Sequence, residues 1–139
     1  MGANTTEATV LVVDDEAEVR ALERRILEGV GYGVLEATNG ADAIDRMAAA
    51  ARVDLLVADL QMPEVCGPEM VRRIRLARPD MPVLYVTGHI DGLMNERSLC
   101  EGEALLEKPF TMAGLREAVS LLLYGTLVTR GVGNKLELR

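Results

Sequence analysis

Five polar side chains stand at or near the ends of apolar runs whose composition is typical of buried strands. Two aspartates follow TVLVV, a third comes near the end of DLLVADL, a threonine near the end of MPVLYVTG, and a lysine follows EALLE. Burying a charge beside so apolar a run costs free energy unless a partner compensates the charge. Charged residues at such positions are therefore candidates for a functional role. The five residues are Asp14, Asp15, Asp59, Thr87 and Lys108.

Together these side chains have the chemistry of phosphoryl transfer. Three carboxylates held close repel one another, and a bound divalent cation removes that conflict. Hard oxygen ligands favour Mg²⁺, which keeps several waters and shares its other positions with a phosphoryl group. A carboxylate beside the metal is a suitable nucleophile for phosphorus and gives an aspartyl phosphate. Lys108 and Thr87 can supply the positive charge and the donor that phosphoryl oxygens need.

Apolar runs alternate with helical patterns along most of the chain, and this alternation predicts alternating strands and helices. Strands are predicted at 9–13, 33–37, 54–60, 81–88 and 103–109. Helices are predicted within 14–32 and at 39–51, 67–79, 91–102 and 111–125. The first helix is indicated by apolar residues at helical spacing, namely Val19, Leu22, Ile26 and Val30.

Local signals mark several helix ends. Asn39 and Thr111 are candidate N-caps, and Pro68 is well placed in the first turn of its helix. The helix at 91–102 is weakly encoded, because glycine, asparagine and serine interrupt its good helix formers.

The fold class follows from the strands, which lack polar alternation. Such strands are buried on both faces, so helices must cover both sides of a parallel sheet, and right-handed crossovers leave a doubly wound α/β sheet of five strands as the natural topology. Ligands of such sheets bind at the carboxyl ends of the strands. The five polar residues should therefore converge on one edge.

Composition and charge exclude several classes of protein. At 139 residues the chain is expected to be one domain, at 9–125, with a disordered N-terminus at 1–8 and a tail or linker at 126–139. The net charge of −7 argues against nucleic acid as a partner. No apolar run approaches the ~20 residues of a membrane span. Two cysteines make no disulfide framework, so a cytoplasmic location is expected.

Four motifs, in order, resemble those of the receiver domain of two-component response regulators. They are VLVVDDE at 10–16, DLQMPEVCG at 59–67, VLYVTGH at 83–89 and LEKPF at 106–110. The resemblance covers roughly residues 8–125 and implies the flavodoxin-like strand order 2-1-3-4-5, with helices on both faces of the sheet.

The resemblance also implies a metal site. Asp15 and Asp59 would bind Mg²⁺ directly, together with the main-chain carbonyl of Gln61. Asp14 would act mainly through a metal-bound water. Gln61 and His89 would flank the phosphoryl group and set how easily water reaches it.

For the phosphoryl group itself, the resemblance makes Asp59 the phosphoacceptor. Thr87 would donate to the phosphoryl group and move when it arrives, while Lys108 would contact a phosphoryl oxygen. Pro109 would fix the following loop, often through a cis bond in this family. The donor would be a histidine kinase or a histidine phosphotransfer protein, and the chain would not be an enzyme in the usual sense.

Two features depart from the family pattern and leave the output open. Leu105 stands where receivers usually carry Tyr or Phe, and the stretch between Thr87 and Lys108 is about one residue shorter than in many relatives. Both changes fall on the face that usually signals. We expect order or position to change across 88–105, with a partner or a second copy, as a homodimer, reading that face.

Alternatives remain on the residues alone. A Mg²⁺-dependent phosphatase of the haloacid dehalogenase type also forms an aspartyl phosphate, but it needs a second aspartate where this chain has Gln61. A receiver-like adaptor should have lost an acidic residue or the lysine, and none is missing. The chain could be a single-domain regulator or a receiver excised from a hybrid histidine kinase, and LEKPF with the short fourth helix favours the kinase-associated type.

Overall fold

The computed structural model of the chain describes residues 8–60, 62, 65–88, 102–125 and 136–138. Strands and helices alternate along most of this length. Their bounds are β1 Thr9–Val13, α1 Ala17–Glu28, β2 Gly33–Ala37, α2 Gly40–Ala49, β3 Leu55–Asp59, α3 Gly67–Ala77, β4 Val83–Thr87, β5 Glu103–Glu107, α4 Met112–Tyr124 and β6 Leu136–Leu138. The predicted helix at 91–102 lies almost wholly outside the described residues.

The strands form a single sheet in the order β2-β1-β3-β4-β5-β6. The first five are parallel to one another, which confirms the predicted order 2-1-3-4-5. The sixth strand is antiparallel to β5, with Leu105 opposite Glu137. It was not predicted, because a three-residue segment is too short to show a period in sequence.

Alternate residues of each strand pack into two separate cores, one on each face of the sheet. Leu11 and Leu56 belong to the core covered by α2 and α3. Val12 and Val57 belong to the core covered by α1 and α4. Because both faces are apolar and covered, the sheet is buried between two helical layers, as predicted.

The helix ends follow local chemistry. The side chain of Asn39 accepts a hydrogen bond from Asp42 N, and that of Thr111 accepts one from Gly114 N, both at 2.8 Å. Both predicted N-caps are therefore confirmed, as is proline in the first turn of α3. No helix within the described ranges is long and apolar enough to cross a membrane.

The buried face of α1 differs from the predicted apolar stripe. Glu23, Ile26 and Leu27 are buried, whereas Leu22 is 44% exposed and Val30 39% exposed. The periodicity is helical, as predicted, but the helix is turned so that a glutamate faces the sheet. Residue spacing defines a period but not the exact orientation of a helix on its sheet.

Ala8, the first described residue, also packs into the fold. Ala8, which was assigned to the N-terminal segment, is 3% exposed. Its carbonyl accepts a hydrogen bond from Gly33 N at 2.8 Å. Residues 1–7 are outside the described part of the chain.

Candidate functional site

Three aspartates meet at the carboxyl ends of two neighbouring strands. Asp14 and Asp15 follow β1, and Asp59 is the last residue of β3, whose Ala58 is in register with Val13. One carboxylate oxygen from each aspartate lies within 4.8 Å of the other two. Asp14 and Asp59 are buried, while Asp15 is exposed. The cluster is thus a group of acidic oxygens that opens to solvent on one side.

Each oxygen atom of Asp14 accepts a hydrogen bond from another residue. Its Oδ1 accepts from Glu16 N at 2.9 Å, and its Oδ2 accepts from Lys108 Nζ at 3.2 Å. Its main-chain carbonyl accepts from Arg20 Nη1 at 2.7 Å. Both carboxylate oxygens of Asp14 therefore have protein donors, which fixes the orientation of this carboxylate.

Lys108, directly after β5, places its ammonium among the acids. Its Nζ lies 3.2 Å from Asp14 Oδ2, 3.3 Å from Asp59 Oδ2 and 3.7 Å from Glu16 Oε1. Burial lowers the pKa of Lys108, but attraction by Asp14 and Asp59 outweighs burial, so the pKa lies above its ordinary value. Lys108 is therefore an ammonium at physiological pH and neutralises part of the acidic cluster.

Thr87 ends β4 at the same edge of the sheet and is 1% exposed. Its carbonyl accepts a hydrogen bond from Lys108 N at 2.7 Å. Since Val86 is in register with Asp59 on the neighbouring strand, the ends of four adjacent strands, β1, β3, β4 and β5, carry the carboxylates, the hydroxyl and the ammonium to one edge of the sheet. All five residues predicted from their chemistry are brought to one edge.

A glycine lets helix α3 begin close behind Asp59. A Cβ at Gly67 would lie 2.7 Å from the carbonyl oxygen of Asp59 and 3.2 Å from the Cα of Leu60. Gly67 N also donates to Leu60 O at 3.2 Å. A side chain at this position would push the helix away from the strand end that carries the acid.

Two other residues near the cluster were not predicted. Arg20 joins the Asp14 carbonyl to β2, because its Nε also donates to Glu36 Oε1 at 3.1 Å. Glu23 is 1% exposed, and its Oε1 has no hydrogen-bond partner among the described residues. Burial, reinforced by repulsion from Asp14, raises the pKa of Glu23 to about 8. One signal in the sequence could have indicated the burial of Glu23. It stands three residues before Ile26, a spacing that places both side chains on the same face of the helix.

Of the remaining residues singled out in the sequence, Pro109 and Leu105 are described by the structure and two others are not. The Lys108–Pro109 peptide bond is cis, as the resemblance implied. Leu105 is buried at 1% exposure within β5. Gln61 and His89 lie outside the described residues.

Comparison with known proteins gives the family. The sequence model of the protein family described as the response regulator receiver domain matches residues 10–120. Response regulator MprA of Mycobacterium avium is 37% identical over 118 residues, which cover 84% of this chain and 51% of MprA. Sensor kinase CckA of Brucella abortus is 35% identical over 118 residues, covering 84% of this chain but 12% of the kinase.

A solved structure agrees with the sequence relatives. It is that of response regulator TrrA of Thermotoga maritima, described as a complex with Mg²⁺-BeF. It superimposes with a TM-score of 0.69 at 29% identity, covering 84% of this chain and 99% of that one. Strand order, acidic edge and sequence similarity agree, and the chain belongs to the family of response regulator receiver domains.

Proposed function

We propose that Asp59 accepts a phosphoryl group from a phosphohistidine, in the presence of Mg²⁺, and that the chain signals through the conformational change that follows. The observation that carries this proposal is the cluster of three carboxylate oxygens within 4.8 Å of one another, with the Lys108 ammonium 3.3 Å from Asp59. The phosphohistidine would belong to a histidine kinase or a histidine phosphotransfer protein.

The donor set fits a magnesium ion. Asp15 is exposed, and Asp59 is only partly neutralised by Lys108, so both can offer an oxygen to a metal that prefers carboxylates and water. Asp14 already accepts hydrogen bonds on both oxygens, which supports a role through a metal-bound water. Gln61 would add its main-chain carbonyl. The Mg²⁺-BeF complex of the related TrrA structure is consistent with this assignment. When bound, the metal would offset negative charge on the transferring group.

In the transfer itself, one oxygen of Asp59 attacks phosphorus and the bond from phosphorus to the histidine nitrogen breaks. The electron pair of that bond stays on the nitrogen, and the imidazole leaves. Lys108 and Thr87 would then contact phosphoryl oxygens, giving charge-assisted hydrogen bonds. The chain assists this step by orientation and charge, and we propose that it is not an enzyme with a separate substrate.

An apolar groove beside the site supports a helical partner. Val19 and Leu22 of α1 line it, with Lys108, Pro109 and Phe110 on the other side, and its volume is about 370 Å³. Leu22 is 44% exposed. A groove of this kind suits the apolar face of an amphipathic helix, and a phosphohistidine carried on that helix would reach the neighbouring acidic edge.

The wider context of the domain is also a proposal. The chain spans about half the length of MprA and about an eighth of CckA, so both a regulator and a hybrid histidine kinase are compatible with it. We assign 9–125 to the receiver domain and 126–139 to a tail or linker.

A cytoplasmic location is proposed from the cysteine content, and Cys66 is a free thiol. A homodimer through 88–105 stays a prediction, because most of that face is outside the described residues.

The direct test uses a small-molecule phosphodonor such as acetyl phosphate with Mg²⁺, followed by intact mass measurement. The parent chain should gain one phosphoryl group and Asp59→Asn should gain none, because only this carboxylate is both ligand and nucleophile. Asp80→Asn is the matched control, since Asp80 is exposed and precedes β4 at the opposite edge of the sheet. Equal modification of Asp59→Asn and the parent would show that the acceptor is assigned wrongly.

A further inference from the structure

The outer edge of β5 is occupied by the chain's own last described strand. A strand at the edge of a sheet presents unpaired N–H and C=O groups that can pair with another extended segment. Here β6 takes that place, with Ala104 opposite Leu138 and Leu106 opposite Leu136. Its direction is antiparallel, whereas the five other strands are parallel.

The backbone alternation of β5 identifies which residue bonds to β6. Gly102 accepts from Val83 N at 3.0 Å, and Lys108 donates to Thr87 O at 2.7 Å, so even-numbered residues direct their main-chain groups toward β4. Odd-numbered residues must then direct theirs toward β6, because successive residues of a strand alternate sides. Leu105 and Glu137 are opposed in the register, and they are the pair that exchanges N–H and C=O groups.

The same strand ends in the candidate site. Lys108 follows Leu106 by two residues, or about 7 Å along a strand. The Lys108 ammonium now lies 3.3 Å from Asp59 Oδ2, and a phosphoryl oxygen on Asp59 would lie farther out than this carboxylate oxygen. Because Lys108 N donates to Thr87 O, an outward shift of either residue displaces the ends of β4 and β5 together.

One chain can place β6 on its own sheet. Ten residues, 126–135, separate Gly125 from Leu136, and they can span at most about 35 Å. The 13 residues of α4 cover about 20 Å. The connection is therefore long enough to return from the end of α4 to the carboxyl end of β5, where Leu136 lies opposite Leu106.

We propose that residues 136–138 are an intramolecular strand whose pairing with β5 is coupled to the phosphoacceptor site, and that a phosphoryl group on Asp59 releases them. A ladder of three residues has few bonds to share a displacement of its partner strand, so a shift of β5 weakens it. Release exposes the β5 edge to an extended segment of a partner. The coupling rests on the proposed phosphorylation of Asp59, whereas the resident pairing does not.

Amide hydrogen exchange of Leu105 tests the pairing, with Ala104 and Leu106 as references that bond to β4. Glu137→Pro removes the Glu137 N–H that donates to the Leu105 carbonyl, and its ring disrupts the three-residue ladder. The Leu105 amide, which donates to the Glu137 carbonyl, should then lose protection about tenfold or more. Glu137→Ala, which keeps the backbone donor, should match the parent. The protection should not depend on protein concentration. Unchanged protection in Glu137→Pro, or protection that grows with concentration as in pairing by a second copy, overturns the intramolecular strand.

Beryllofluoride with Mg²⁺, a phosphoryl mimic, tests the coupling. It should lower the protection of Leu105 in the parent and in Glu137→Ala but not in Asp59→Asn. Because coupling is reciprocal, Glu137→Pro should bind the mimic more tightly than Glu137→Ala does. The ratio of the two affinities should equal the factor by which the mimic lowers the protection of Leu105 in Glu137→Ala. Binding of the mimic with no change at Leu105 overturns the coupling alone. Absence of binding to the parent contradicts the proposed function and the coupling, and the exchange result for Glu137→Pro still decides the resident strand.

Discussion

Glu103 and Glu23 are both 1% exposed, yet the protein accommodates their carboxyl groups in opposite ways. Glu103, at the start of β5, accepts from Arg75 Nη1 at 2.7 Å, and the same guanidinium donates twice to the carbonyl of Met81, at 3.1 and 2.7 Å. Glu23, on α1, has an oxygen with no partner among the described residues, and its pKa is raised to about 8.

The difference shows two ways of removing the cost of a buried carboxylate. Where a guanidinium reaches the acid, the charge is compensated by a partner whose other donors are also used, and the pair ties α3 to β5. Where no cation of the described residues contacts the acid, as at Glu23, the acid keeps its proton at neutral pH, because burial and the nearby Asp14 both disfavour its charged form. Lys108 lowers the pKa of Glu23, but its ammonium is already hydrogen-bonded to Asp14 and Asp59.

Removing the cation of the paired region should have the largest effect. Arg75→Ala leaves Glu103 buried without its guanidinium and should lower the free energy of unfolding by about 3–5 kcal/mol. Urea denaturation of the parent and the variant measures this change. Arg72→Ala is the matched control, because the Arg72–Glu69 pair on the same helix is exposed, and it should change stability little.

A double variant sharpens the same comparison. Arg75→Met with Glu103→Leu removes both charges and should recover most of the stability lost in Arg75→Ala, because a well-packed apolar pair can replace a buried ion pair. If Arg75→Ala and Arg72→Ala prove equally stable, the buried pair is not what distinguishes the two regions.

The unpaired glutamate should show itself through pH. The pKa of Glu23 rises from 4.5 to about 8 on folding, so its contribution to stability is complete below pH 4.5 and is lost as pH rises toward 8. Glu23→Gln cannot ionise and should be more stable than the parent at pH 8 by on the order of 2–4 kcal/mol, since one pKa unit is about 1.4 kcal/mol. At pH 4.5 the two should be nearly equal.

Thermal or urea unfolding across this pH window provides the measurement. Glu18→Gln is the control, because Glu18 lies on the exposed side of the same helix. The charged groups acting on Glu23 are Asp14, Asp59, Lys108 and Arg20, and none of them is altered in either variant. A stability difference that stays constant from pH 4.5 to pH 8 would contradict the assignment of the proton to Glu23.

The acidic edge provides a third, smaller test. There Asp14 and Asp59 are both compensated by the ammonium of Lys108. Asp15→Asn should weaken Mg²⁺ binding by about tenfold or more, since it removes a carboxylate that we propose as a direct ligand. Asp14→Asn should weaken binding less, because its carboxylate already accepts from Glu16 N and Lys108 Nζ. Mg²⁺ titration followed by NMR compares the two variants. Equal affinities would remove the distinction between direct and water-mediated ligands.

Most of the site could be predicted because its residues are polar or charged and stand at the ends of apolar runs. Asp59 and Lys108 interrupt apolar runs at their ends, and parallel strands carry such positions to one edge. Thr87 and the two consecutive aspartates follow the same rule. The order of the five parallel strands could also be predicted, because the motifs resemble those of a family with a known strand order.

The unpredicted features depend on contacts between distant residues. Arg20 contacts the carbonyl of Asp14 and the side chain of Glu36, and no spacing in the sequence reports that geometry. The burial of Glu23 follows from how α1 is rotated on the sheet. Strand β6 is too short to show a period, and it exists through its partner β5. Local pattern therefore predicts which residues are chemically unusual, but not how the supporting contacts are made.

The division of each strand between two cores also restricts how the length of the domain can vary. In β3, Leu56 faces one core and Val57 the other. Deleting one residue before Asp59 would exchange the two sets of side chains and turn the carboxylate of Asp59, the proposed acceptor, to the opposite face of the sheet. Insertions and deletions should therefore be tolerated better in the loops than in β1 and β3. The length of these strands determines the geometry of the site as well as the packing of the two cores.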